Sequence, residues 1–304
     1  MATLFHHDVV VATLASGSRG NCTYIGDEHS GVLVDCGVST KQILDRMVEV
    51  GLGSARIDAV LITHEHADHV GAARVLDRRL FKETGTRVPF YMTRGTRIGL
   101  HQNCIPTRVE RVQAGTPFSV GTRRIEPWTV PHDTSDPVAY TVEIGQVRAG
   151  VVTDLGRSTH LVERNLASLD IAVVEFNHDV QMLVEGEYPW RLKQRVRGPH
   201  GHLSNDQAAA LVRAGASKRL RHLVLAHLSQ DNNTPDLALE AAQRGLHDAR
   251  CRGVGVHVAQ QQIPLRPLRI EPPADFRPRH PRRRRPAARH IHDDDASRQT
   301  SLFG

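Results

Sequence analysis

Six consecutive residues, His64-Glu65-His66-Ala67-Asp68-His69, set four metal-ligand side chains directly after the apolar run Ala59-Val60-Leu61-Ile62. On an extended loop alternate residues point the same way, so His64 and His66 can grip one ion. Asp68 and His69, where the chain turns into a helix, can face a second. Imidazole nitrogen and carboxylate oxygen suit Zn²⁺ and, with more oxygen ligands, Mn²⁺ or Fe²⁺. The alternative is a histidine cluster that holds no metal, and four ligand-type side chains at this spacing argue against it. Glu65, between the ligands, is expected to face away, behind them or toward solvent.

Two ions need further ligands, and later strand ends offer them. His132 follows Trp128-Thr129-Val130-Pro131, Asp154 closes Gly150-Val151-Val152-Thr153, and His227 closes Leu223-Val224-Leu225-Ala226. Any one alone reads equally as a loop histidine or a capping aspartate. Together, at the ends of strands whose sheet faces an edge cleft, they fit a site completed by distant segments.

The rest of the chain supplies the frame. Val9–Ala15, Cys22–Ile25 and Val32–Asp35 read as strands between glycine-rich turns. Ser39 or Thr40 caps a helix whose apolar positions Ile43, Leu44, Met47 and Val48 recur at helical spacing before Gly51. Ala59–Ile62 is a strand, followed by a helix running to about Glu83. Strands are expected at Val88–Tyr91, Arg123–Val130, Val138–Ile144, Val147–Thr153, Ile171–Glu175 and His222–Ala226, with Val254–Val258 the last. Helices are expected near Ser158–Ala167, at Asp206–Ala214 behind Ser204 or Asn205, and from Thr234-Pro235. Strands with helices interspersed on both sides indicate an α/β protein built as a four-layer αββα sandwich.

Hydrophobic residues make up 39% of the chain and aromatics 4%, so Val, Leu, Ile and Ala do most of the packing. No apolar run approaches the roughly 20 residues of a membrane span. The first residues lack a basic segment followed by an apolar one, so the reading is a cytoplasmic protein. Cys22, Cys36, Cys104 and Cys251 lie far apart without a C-x-x-C pair, and are expected to be packed or incidental thiols.

The net charge of +6 is unevenly placed. Residues 264–304 hold ten Arg and five acidic residues, whereas residues 1–263 hold 29 basic and 28 acidic. The tail also carries seven of the sixteen prolines and the run Arg282-Arg283-Arg284-Arg285. Such a composition buries too little surface to offset its ordering entropy. The expectation is therefore one domain over 1–263 and a disordered basic tail over 264–304, either an arm that touches nucleic acid or a solvated end without a role. His6 and His7 are expected to be exposed and not ligands.

The H-x-H-x-D-H run with its strand-end partners resembles the metallo-β-lactamase superfamily, and implies its αββα fold. The resemblance makes His64, His66 and His132 ligands of one ion, Asp68, His69 and His227 ligands of the other, and Asp154 the bridge. Lactamases of the superfamily have Cys at that bridging position, so Asp154 departs from them toward the phosphodiesterase and nuclease branches. Leu14-Ala15-Ser16-Gly17-Ser18-Arg19-Gly20-Asn21-Cys22, Pro131-His132-Asp133 through Asp136-Pro137-Val138-Ala139-Tyr140, Thr153-Asp154-Leu155-Gly156, Glu175-Phe176-Asn177-His178-Asp179, Tyr188-Pro189-Trp190-Arg191-Leu192-Lys193-Gln194-Arg195, Gly201-His202-Leu203-Ser204-Asn205 and Ala226-His227-Leu228-Ser229 are similar to the YycJ/WalJ-type group over about residues 10–260. That group is regarded as DNA exonucleases linked to mismatch repair.

The implied chemistry uses two ions roughly 3.5–4 Å apart that share a bridging water and make hydroxide available near neutral pH. Asp68, His202 and His178 are the candidate catalytic residues. His202 precedes a helix N-terminus that favours phosphate, the alternative being a histidine that caps its own loop. His178 either lines the site or bonds locally at a helix start. Ser16, Ser18 and Asn21 form a turn able to donate to phosphate, or one that only joins strands. Arg191, Lys193, Arg195 and Arg197 form a basic run able to follow a phosphate backbone. Trp190 beside them either stacks on a base or anchors the packing. A DNA exonuclease is the first reading. A phosphodiesterase acting on a small cyclic or nucleotide diester is the second, and a nucleic-acid-binding module with an idle metal site the third.

Overall fold

The computed structural model describes residues 8–271. The first sheet contains β1 (Val9–Ala15), β2 (Cys22–Gly26), β3 (Ser30–Val34), β4 (Arg56–Leu61), β5 (Phe90–Met92) and β6 (Val109–Arg111). The second contains β7 (Phe118–Val120), β8 (Arg123–Thr129), β9 (Val138–Ile144), β10 (Val147–Val152), β11 (Ile171–Glu175), β12 (His222–Ala226) and β13 (Gly255–Val258). A last strand, β14 (Leu268–Ile270), returns to the first sheet, giving the orders β14-β1-β2-β3-β4-β5-β6 and β13-β12-β11-β10-β9-β8-β7. In both, antiparallel hairpins lead into parallel strands: β3 to β6 in one sheet and β10 to β13 in the other.

Parallel neighbours need crossovers, and helices supply most of them. They are α1 (Thr40–Glu49), α2 (Ala67–Val70), α3 (Ala73–Thr84), α4 (Arg94–Gly99), α5 (His160–Leu166), α6 (Val180–Glu185), α7 (Trp190–Arg197), α8 (Asn205–Gly215) and α9 (Pro235–Asp248). Ser39 caps α1 in a reciprocal pair with Gln42, and Thr234 caps α9 with Pro235 in its first turn. Both ends are where the sequence signals put them.

The period-2 alternation of strand side chains assigns the layers. On β1, Val10, Ala12 and Leu14 pack with Ile43 and Met47 of α1 and Leu76 and Leu80 of α3. Val9 and Val11 instead meet Tyr140, Val151, Val173 and Val224 of the other sheet. On the far side, Val152, Val174, Leu223 and Leu225 pack against α5, α8 and α9 through Val162, Leu211, Val212 and Ala241. Three apolar interfaces between four layers make the αββα sandwich, as expected from the sequence.

Several boundaries differ from those expectations. The helix foreseen up to Glu83 is broken at Gly71 and Ala72, so that α2 carries Asp68 and His69 while α3 packs on the sheet. The three-residue strands β6 and β7 are too short to show a period, and β13 is not the last strand. The boundary drawn at 263 comes too early: Leu268 and Ile270 of β14 are buried against β1, paired with Val11 and Val9. A three-residue alternation suffices to cover a sheet edge even in a Pro- and Arg-rich context. The disorder and nucleic-acid contact expected of the tail, from 272 onward, and the exposure of His6 and His7 lie outside the described residues.

The four cysteines are free, with Cys22 and Cys36 buried and their thiols pushed up in pKa by that burial. Among the described residues no helix is long and apolar enough to cross a membrane.

Tyr140 ties the sheets together. It is fully buried between them, and its hydroxyl donates to the Ile62 carbonyl at 3.1 Å, two residues before His64. Removing that hydroxyl leaves a buried carbonyl short of a partner. Tyr140→Phe should lower unfolding stability by about 1 kcal/mol, seen as a lower urea midpoint at unchanged slope; an unaltered midpoint would contradict this role.

Candidate metal centre

The ligand-type residues gather at the carboxyl ends of the strands, where open α/β sheets present their crevice. His64 and His66 follow β4, His132 follows β8, Asp154 follows β10 and His227 follows β12. Only four described non-glycine residues have positive φ, and three of them are here: Asp35 at 62°, Asp154 at 59° and His227 at 55°. This left-handed conformation costs roughly 1–2 kcal/mol per residue. It turns each strand end sharply, so that Asp154 and His227 face the cleft while Asp35 meets His69 from behind.

Two groups of ligand atoms result. In the first, His64 Nε2 and His132 Nε2 stand 3.1 and 3.3 Å from His66 Nδ1. In the second, Asp68 Oδ2 is 3.4 Å from both His69 Nε2 and His227 Nε2. Asp154 lies between the groups, with Oδ2 3.1 Å from His69 Nε2, and Oδ1 3.4 Å from His227 Nε2 and 3.9 Å from His132 Nε2.

These separations fit a divalent cation. Nitrogens about 2.0–2.1 Å from one tetrahedral zinc stand roughly 3.3–3.4 Å apart, close to the spacing of the three imidazoles. Asp154 Oδ2 is buried without a hydrogen bond although His69 lies beside it, an orphaned oxygen that an ion would satisfy. The other ring nitrogens are engaged behind the cluster. His69 Nδ1 meets Asp35 Oδ2 at 2.8 Å, His132 Nδ1 meets the Gly201 carbonyl at 3.2 Å, and His64 Nδ1 meets Thr63 Oγ1 at 3.0 Å. Such outer contacts orient ligand imidazoles.

Charge agrees with geometry. Burial and the neighbouring His69 hold His64 well below its ordinary pKa, and so neutral, as a ligand must be. Burial opposes ionisation of Asp68 and Asp154, yet the surrounding imidazoles outweigh it and keep both carboxyls low. His69 moves the other way: burial lowers it, but Asp154, Asp68 and Asp35 together raise it. Three carboxylates around one imidazole make a place that favours positive charge.

The cleft over these groups encloses about 290 Å³ and is lined by His66, Asp68, Asp154, His202 and His227, with Ser18, Asp133 and Arg195 at its sides. His202 Nδ1 lies 2.7 Å from Glu175 Oε1 and 3.6 Å from Asp154 Oδ1. Burial lowers the His202 pKa, but Glu175 and Asp154 more than reverse this. Glu175 is fully buried, and its Oε2 accepts from the backbone of Leu155 and Leu203 at 3.1 Å each.

Other expected substrate contacts divide. Ser18 lines the cleft, but Ser16 and Asn21 are buried beneath it. Ser16 Oγ accepts from the His227 backbone at 2.7 Å, and the Asn21 amide reaches Gly17 O at 3.1 Å and Asp68 Oδ2 at 3.3 Å. Both shape the site, a correction to their expected role as phosphate donors. Arg195 enters the cleft, bonded to Asp133 at 2.6 Å, and Arg191 is exposed. Lys193 turns away to the carbonyls of Val184 and Gly186 at 2.7 and 2.6 Å, so it does not enter the cleft.

His178 is also corrected. It is 1% exposed, its Nδ1 faces Asn177 Oδ1, and its carbonyl accepts from Asn205. Burial pushes its pKa down to about 4, so it packs behind the cleft as a neutral ring. Trp190 is no packing anchor, being 65% exposed. Glu65 faces away from the ligands, as foreseen, and binds Ser135 N and Oγ at 2.8 and 2.7 Å in the His132 loop.

Asp35 and Glu175 are the functional carboxylates that sequence reasoning missed. Each follows or closes a run of buried apolar residues (Val32-Leu33-Val34-Asp35; Ile171-Ala172-Val173-Val174-Glu175). An acid in that position is rarely left unpaired, and this was the available signal.

A family model described as "Beta-lactamase superfamily domain" matches residues 31–227. The chain is 31% identical over 248 residues to exodeoxyribonuclease YycJ of Bacillus anthracis, covering 81% of this chain and 90% of that protein. It is 33% identical over 248 residues to exodeoxyribonuclease WalJ of Streptococcus pneumoniae D39, covering 80% and 90%. Among solved structures it is similar to the metallo-β-lactamase fold protein YhfI of Bacillus subtilis, with a TM-score of 0.62 at 17% identity, covering 84% of this chain and 99% of that one.

The ligand loop rests on a close backbone contact. A Cβ on Gly37 would lie 1.6 Å from the Asp68 carbonyl oxygen, beside the bonds Asn21 N to Asp68 O and Cys36 N to His69 O, each 2.8 Å. Gly37→Ala should therefore cost about 1–3 kcal/mol and lower divalent-metal uptake, read by thermal unfolding and metal analysis. An unchanged melting temperature with full uptake would show the contact to be slack.

Proposed function

The chain belongs to the β-lactamase superfamily and is a hydrolase of the metallo-β-lactamase fold, and from that premise we propose that it is a dinuclear metal-dependent phosphodiesterase acting as a DNA exonuclease. The observation that carries this reading is the carboxylate of Asp154, set within 3.1–3.9 Å of ligand nitrogens from both groups. Relatives named exodeoxyribonucleases at 31% and 33% identity support the substrate class.

In this reading His64, His66 and His132 hold one ion, Asp68, His69 and His227 the other, and Asp154 is shared. The donor set suits zinc or manganese, and iron also. Two such ions, when bound, supply a hydroxide nucleophile and positive charge against the phosphate oxygens. The protein's own groups do the positioning. Asp35 orients His69, and the Gly201 carbonyl orients His132. Asp68 serves as a ligand and keeps its carboxylate charge beside the reacting phosphate.

Glu175 fixes the His202 ring through Nδ1, leaving Nε2 for a phosphate oxygen or the leaving oxygen. Its buried charge favours the imidazolium that either task needs. Arg195, Arg191 and the Ser18 hydroxyl are the remaining contacts for the strand. Arg195 already pairs with the carboxylate of Asp133 at the cleft wall, and a bound phosphate competes for the same guanidinium.

Purified protein should be given Mn²⁺ or Zn²⁺ with end-labelled DNA and, in parallel, a chromogenic phosphodiester. Progressive shortening of the DNA and two metal ions per chain are expected. Hydrolysis of the small ester with intact DNA would favour the small-diester reading instead. Asp154→Ala should lose most metal and most activity, and near-normal turnover at full occupancy would reject the centre. His202→Ala should keep its metal but lose about 10²–10⁴-fold in rate; an undiminished rate and affinity would leave His202 as a loop cap.

A further inference from the structure

Helix α7 separates two cavities. Leu192, Arg195 and Val196 line the cleft over the ligand cluster. On the other side, Trp190, Lys193, Gln194 and Arg197 recur at helical spacing and, with Val184, line a groove of about 400 Å³. The basic run thus presents cations on both faces, and no acid lies within the helix.

The two tryptophans behave differently. Trp128 is 3% exposed and donates to Thr141 Oγ1 at 3.1 Å, a core residue with its polar edge satisfied. Trp190 is 65% exposed at the first position of α7. Exposing so large an apolar ring forgoes burial that would otherwise stabilise the fold. Its surroundings are nonetheless fixed. Lys193 bonds the carbonyls of Val184 and Gly186, and the Tyr188 hydroxyl donates to Asp231 Oδ2 at 3.0 Å, which secures the chain entering the helix. An aromatic face in the same groove as Arg197, with no ring or cation partner among the described residues, is a preformed stacking surface.

We propose that this groove takes a nucleobase of the substrate's single-stranded segment, stacked on Trp190 with its phosphate against Arg197, while the scissile phosphate occupies the cleft across α7. This rests on the nuclease reading. Charge favours such an occupant, because a polyanion passing over α7 meets Arg195 on one face and Arg197 on the other. An α-helix with side chains is about 10–12 Å across, and stacked nucleotides advance about 3.4 Å each. The stacked base is then about three nucleotides from the bond that breaks, and shorter substrates cannot reach it.

The test compares wild type with Trp190→Ala in Mn²⁺, measuring kcat/KM on single-stranded oligonucleotides of two to twelve nucleotides and on the chromogenic phosphodiester. Wild type should gain in kcat/KM as length passes about four nucleotides. Trp190→Ala should lose that gain, about ten-fold and chiefly in KM, while hydrolysing the small ester like wild type. Trp190→Phe should restore much of the difference. Fluorescence of Trp190, titrated with a twelve-nucleotide strand, should be quenched, leaving in Trp190→Ala only the emission of buried Trp128. Equal losses on the ester and on long strands would overturn the proposal, as would an unquenched Trp190. If the wild type binds but does not cut DNA, the nuclease reading fails, and the quenching still decides whether the groove holds a base.

Discussion

His69 sits where three carboxylates converge: Asp35 at 2.8 Å, Asp154 at 3.1 Å and Asp68 at 3.4 Å. Asp35 and Asp154 are almost wholly buried. Charges so removed from water are tolerated only when paired, and His69 with His227, which lies 3.4 Å from Asp68 and Asp154, makes two imidazoles against three acids. The imbalance constrains the surroundings. Asp35 spends its oxygens on Thr63 and His69, and Asn21 steadies Asp68. Asp154 keeps an oxygen without any hydrogen bond. A resident cation removes the excess, and the buried acids and tight loop contacts are intelligible as a frame built around one.

The sequence made much of this legible because ligand chemistry is written locally. Four ligand-type side chains within six residues need no tertiary information to be noticed, and strand-end His132, Asp154 and His227 stand out against apolar runs. The layers were legible for the same reason: alternation on β1 and the caps of α1 and α9 are short-range signals. What stayed hidden depends on distance. Nothing near Asp35 says that its partner is His69, which is 34 residues away, and nothing near Glu175 points to His202. The same limit explains Ser16 and Asn21. A glycine-rich turn rich in donors suggests phosphate until folding shows those donors already committed to His227 and Asp68.

His178 and β14 show two further limits. A histidine next to an aspartate after a strand has the composition of a site, but burial behind His202 and a bridge to Ser204 make it part of the support. Composition misled in the opposite direction at residues 268–270. Proline and arginine nearby suggested a chain with no core, whereas Leu268 and Ile270 reach into the space between the sheets. Average composition over forty residues carries no information about three of them.

The cluster also depends on the seam between the sheets. His64, His66, Asp68 and His69 come from the first sheet; His132, Asp154, Glu175 and His227 come from the second. Bonds that cross near the site include Tyr140 to Ile62 O, Val138 N to Thr63 O, His227 N to Ser16 Oγ, and Ser135 N and Oγ to Glu65. The left-handed turns at Asp154 and His227 are unfavourable in isolation, and persist because the strands that carry them are locked by the central apolar layer. A slip of one sheet against the other by a fraction of an ångström would alter every ligand separation at once. The valine-rich interior between the sheets is therefore part of the metal site's machinery. It holds two half-sites in register where neither contains enough ligands alone.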